Sequence, residues 1–118
     1  MPEKMSVSPY LEAWRWIEMH AGTDSARDLA KLLLSLAQGA DFSVRECVDK
    51  LDSPRTELAL RVISQYARGG TEEEKERLLA LGHRVGEAFP RLLELAQAAR
   101  EAKQAVNQRK RLEENTDA

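Results

Sequence analysis

The sequence predicts an all-α protein: a compact bundle of five to six helices with a polar C-terminal extension. Three observations carry that expectation. Only 5% of residues are aromatic, and the apolar content is mostly leucine and alanine, which suits helices better than strands. Apolar residues recur at three- and four-residue intervals, as in Tyr10, Trp14, Ile17 and Ala21. Helix-start signals such as Ser8-Pro9 and helix-stop glycines such as Gly39 divide the chain at matching places.

Each element follows from local chemistry. Ser8 can cap a first helix over 9–21, with Pro9 at a position whose N–H has no helical partner, and Gly22 can close it. Caps at 23–25 open a second helix over 25–38. Its face of Ala26, Leu29, Ala30, Leu33, Leu36 and Ala37 is widened by Leu32 and Leu34, which predicts a central position. Ser43 and Glu46 form a capping box for a short third helix over 44–51, with Val44, Cys47, Val48 and Leu51 on one side and Phe42 placed to staple its start. Ser53-Pro54 repeats the opening device for a fourth helix to residue 67, with Leu58, Ala59, Val62, Ile63 and Tyr66 as its stripe. Gly69-Gly70 ends it, and Thr71 with Glu74 offers a second capping box. The fifth helix carries Leu78, Leu81, Gly82, Val85 and Phe89. Pro90 then forces a kink or a new helix with Leu92, Leu93, Ala96 and Ala99 inward. Residues 1–106 are expected to form one domain, and the polar stretch 107–118 to fray.

Composition narrows the function classes. The net charge is −2 with both signs interleaved, so sequence-independent binding to nucleic acid has little surplus positive charge to draw on. A single cysteine cannot form an internal disulfide. Residues 1–5 carry no apolar signal segment, and no apolar run approaches the roughly 18 residues of a membrane span. A cytoplasmic protein with no membrane association is the expectation.

Few residues suggest chemistry. Cys47 stands near a helix start, where a thiol can be activated, but its apolar neighbours point to core packing. His20 and His83 share no metal-ligand spacing with each other or with Cys47, so no metal and no cofactor is expected. No nucleophile elbow or phosphate-binding glycine loop is present, and the chain reads as non-enzymatic. The Gly82…Gly86 spacing lies among charges. Each glycine costs about 1 kcal/mol against alanine inside a helix. Close approach of another helix, within the domain or between two copies, would offset that cost, and a broken helix is the alternative reading.

Surface residues suggest contacts instead. Trp16 lies off the stripe of Trp14, beside Met19 and His20, and tryptophan and methionine are enriched at protein interfaces. Either this patch meets a partner protein, or Met5 and Val7 or the C-terminal helix cover it. His83 and Arg84 form a second candidate surface. For nucleic acid, the candidate cations are Arg45, Arg55, Arg61, Arg84, Arg109, Lys110 and Arg111, with helices three and four mimicking a helix-turn-helix. Glu113, Glu114 and Asp117 dilute the basic run. A structural homodimer burying the apolar excess of helices one, two and five is a third reading.

One resemblance adds context. The run ARDLAKLLLSL, followed by Gly39, Phe42 with Val44, and Leu51-Asp52, resembles a group of small uncharacterised helical proteins carried on proteobacterial plasmids, integrative elements and prophages. The segment GHRVGEAFPRL at 82–92 is similar to that group's closing segment, and the likeness covers about residues 24–95. The resemblance implies a mobile-element setting and brings no catalytic residues. It makes a regulatory protein-binding factor, of accessory or anti-defence type, the leading expectation.

Overall fold

The computed structural model describes residues 8–116 and places six helices: α1 Pro9–Met19, α2 Asp24–Gln38, α3 Val44–Val48, α4 Ser53–Ala67, α5 Glu72–Ala88 and α6 Pro90–Thr116. No strand occurs among the described residues, so the fold is all-α. α2 is the centre, packed by α1, α3, α4 and α5. Its Leu29, Leu33 and Leu34 are fully buried and meet Ile17 of α1, Val62 of α4 and Val85 of α5 in one core. Leu32 is buried too, so α2 hides more than one stripe, as the leucine run predicts.

The helix ends show where local signals prevail and where tertiary contacts do. Ser8 accepts a hydrogen bond from the Tyr10 N–H, and the Ser43–Glu46 box closes in both directions. Gly39, at φ +64°, ends α2 with its own N–H on Ser35 and the Ala40 N–H on Leu34. α1 stops at Met19, short of residue 21. The Thr23 hydroxyl and N–H both donate to the His20 carbonyl, which turns the chain out of the helix and leaves Ala21 exposed. α3 stops at Val48 because the buried Asp28 carboxylate of α2 accepts the Lys50 N–H at 2.7 Å.

Three further expectations are corrected. Asp52, not Ser53, caps α4: its carboxylate accepts the Arg55 N–H at 2.9 Å and outcompetes a hydroxyl as acceptor. Thr71 accepts the Glu74 N–H, but the Glu74 carboxylate takes the Gln65 side chain of α4, so the second capping box is half formed. Val44, Tyr66 and Ala99 face solvent rather than the core. A five-residue helix has too little surface to bury both Val44 and Cys47.

Pro90 starts a new helix after Phe89, whose carbonyl accepts from Leu92 and Leu93. α6 packs chiefly on α5 through Leu92, Leu93 and Ala96. Arg100 reaches the Gln38 carbonyl and Lys103 reaches Asp41, tying α6 to the end of α2. Beyond that, α6 continues as helix to Thr116, through the stretch expected to fray. Residues 97–116 hold no glycine or proline and are rich in strong helix formers. The helix, about 40 Å long at 1.5 Å per residue, accounts for a longest dimension of 65 Å. It also raises the radius of gyration to 16.7 Å, against about 13 Å for a compact chain of this length.

Candidate interaction surface

Trp16 is half-buried, held between two side chains. The His20 ring stacks on one face with centroids 3.4 Å apart, and the Arg55 guanidinium lies over the other at 3.6 Å. Two groups at those distances cannot share a face. His20 is placed by helix geometry, one turn after Trp16, with its Nδ1 3.1 Å from the Trp16 carbonyl. Arg55 is aimed from α4 by its own cap residue, Asp52, at 3.3 Å. Trp16 Nε1 is buried with no hydrogen-bond partner among the described residues. Met19 beside the stack is 79% exposed. The structure thus joins Trp16 to His20 and leaves Met19 open. Met5 and Val7, the expected cover, lie outside the described residues.

The other expected sites are dispersed. His83 and Arg84 are exposed on α5. Arg61 makes a two-pronged pair with Glu12 of α1, at 2.6 and 3.3 Å. Arg55 and Arg61 therefore hold α4 against α1, and their charges are already answered within the fold. Arg45 is exposed beside Glu46, Asp49 and Asp28, a surface of mixed sign. Arg109, Lys110 and Arg111 are exposed on outer α6.

Cys47 is buried, and its thiol is pushed up to about 11 by burial, with the Asp28 and Glu46 carboxylates adding to the rise. A thiol so shifted carries almost no thiolate at neutral pH, so Cys47 is a small core hydrophobe. No three of the His, Cys, Asp and Glu side chains described here converge as metal ligands. No described helix is long and apolar enough to cross a membrane.

Two features escaped the sequence reading. Asp28 is a buried carboxylate that terminates α3; its signal was an acid four residues before Leu32 on an apolar face. The second is a groove of about 470 Å³ where α5 turns into α6. Phe89, Leu92 and Leu95 supply apolar lining, and Arg27, Lys31 and Arg91 supply cations with no carboxylate among the lining residues. No local pattern links α2 cations to the α5–α6 elbow, so only the tertiary fold assembles this groove. Its lining ends at Leu95, and farther along α6 every residue from 97 to 114 is exposed, including Val106.

Comparison with protein-family models, curated proteins and solved structures finds no match for this chain. What defines it is its architecture: an all-α bundle centred on α2, from which one long helix extends.

Proposed function

We propose that this chain is a non-catalytic protein-binding module whose recognition element is the outer length of α6. The supporting observation is that α6 stays helical to Thr116 while residues 97–114 bury nothing within the chain. Most helical stability in proteins comes from packing an amphipathic face, and the outer length of α6 has no such packing within the chain. The exposed face includes Leu95 and Val106 and adjoins the elbow groove, so it offers both apolar and charged contacts. Burial of Cys47 removes the best nucleophile from consideration and favours binding over catalysis. The resemblance of residues 24–95 suggests the setting, a bacterial mobile element, in which such a module would regulate or inhibit a host or element protein.

Site-specific photo-crosslinking in bacterial cells tests the reading. A photoreactive residue at Val106 should give a discrete adduct with another polypeptide, and one at exposed Arg77 on α5 should not. No adduct from 106, or an equal pattern from both positions, would overturn it.

A further inference from the structure

The side of α6 turned to the bundle carries Leu92, Ala96, Arg100 and Lys103. An adjacent side stays open. Leu95, Ala99, Ala102 and Val106 follow at intervals of four, three and four, which align on one helix face. Leu95 and Val106 are 58% and 52% exposed there, and the alanines between them allow a second helix to approach closely. Charges bracket this face in a definite order: Arg91 and Glu94 before it, Arg109 and Glu113 after it. None of the four makes an ion pair among the described residues.

That order is self-complementary only when reversed. Turning a second copy end for end about Ala102 sets Arg91 opposite Glu113 and brings Glu94 within one residue of facing Arg109, and repeats both pairs by symmetry. The same motion puts Val106 against Ala98 and Ala99. A parallel arrangement would set each charge against its own like. Charge complementarity therefore selects one occupant and one orientation. We infer that the uncovered face of α6 docks antiparallel on the same face of a second copy, giving a two-fold homodimer centred on Ala102. The inference rests on the reading of α6 as the recognition element and names its partner.

Full-length protein tests it directly. Light scattering should give twice the chain mass, falling to one chain on dilution. Ala102→Cys should cross-link to itself on mild oxidation, because the two-fold brings that position onto its own copy. Val106→Cys should not cross-link to itself but should join Ala98→Cys when the two proteins are mixed. Arg91→Glu and Glu113→Arg should each weaken the dimer about tenfold, and the double variant should recover it. Circular dichroism on each variant confirms that the helix persists. A monomer at every concentration up to millimolar overturns the inference. So does self-cross-linking of Leu95→Cys and Val106→Cys as efficient as that of Ala102→Cys, or a double variant no better than the single ones. In any of those cases an adduct between position 106 and a different protein would leave the protein-binding reading standing; absence of every adduct would remove both.

Discussion

A β-carbon placed on Gly82 of α5 would stand 2.5 Å from the β-carbon of Ala37 on α2. The two helices meet there, side chain against bare backbone, and the glycine is what permits the contact. Gly86, one turn on, meets the Leu93 side chain of α6 in the same way, at 2.9 Å. The paired glycines thus seat α5 between two neighbours inside one chain. Gly82→Ala gains about 1 kcal/mol of helix propensity and loses more to overpacking, commonly 1–3 kcal/mol. A net destabilisation of about 1 kcal/mol is expected in urea unfolding. Ala37→Gly in the same chain should lessen the penalty, as a favourable coupling in a double-mutant cycle. A Gly82→Ala protein more stable than the parent would show that the helices are not in contact at this point.

Asp28 is 5% exposed and accepts the Lys50 backbone N–H at 2.7 Å, which fixes the exit of the chain from α3. Hydrogen bonds to a charged group contribute about 1.5–3 kcal/mol, and removing the acceptor also leaves a part-buried donor without its partner. Asp28→Ala should cost about 2–3 kcal/mol on that basis, and Asp28→Asn, which keeps an acceptor oxygen, should cost less. Amide exchange at Lys50 is the local readout: it should speed up more than exchange in the middle of α2. Equal losses for the two substitutions would mean that the carboxyl group's acceptor is not what matters.

Cys47 gives the pH dependence. Its folded-state pKa, raised to about 11, lies above the ordinary value of 9.0. The neutral thiol is therefore favoured by folding. The contribution is fully present below pH 9 and is lost as pH rises from there through about 11, on the order of 2 kcal/mol once complete. Cys47→Ala should flatten that part of the stability profile while costing some stability at neutral pH through the cavity it leaves. A thiol reagent at pH 8 should label the native chain only as fast as it opens. Rapid labelling without denaturant would overturn the assignment of Cys47 to the core.

Arg55 covers one face of Trp16 while His20 covers the other. A cation over an indole contributes about 0.5–2 kcal/mol, depending on how far it is desolvated. Arg55→Ala should destabilise the protein by about 1 kcal/mol on that scale and shift tryptophan emission to the red as water reaches the ring. Arg55→Lys should recover little, because a point charge cannot stack as a planar guanidinium does. Unchanged emission in Arg55→Ala would show that the ring is sheltered by something else. Arg61→Ala removes an exposed pair with Glu12 and should cost under about 1 kcal/mol.

Secondary structure was legible because its causes are local. Ser8-Pro9, the Ser43–Glu46 box, Gly39 and Pro90 each act over a few residues, and each operates in the fold. The leucine excess of α2 likewise announced its central place, since only a central helix can bury Leu32 and Leu34 together with Leu29 and Leu33. Misreadings arose where a distant group competed for a local one. Asp28 ended α3 early, Gln65 drew Glu74 out of its box, and the cover of Trp16 came from α4. These partners are neighbours in space and not in sequence, so no periodicity could register them.

The same division holds for the candidate surface. Sequence alone determined a bundle of five to six helices, a buried thiol and a glycine pair that needed a close neighbour, because propensity, capping and hydrophobic spacing are properties of short segments. The tertiary structure decided which neighbour it was and which charges were already answered. It also decided which apolar residues were left outside. Arg55 and Arg61 were absorbed into the α1–α4 contact, while Arg91, Leu95 and Val106 remained open along α6. Exposure is a property of the packed whole: a leucine at a helical interval is core or interface according to whether another element reaches it.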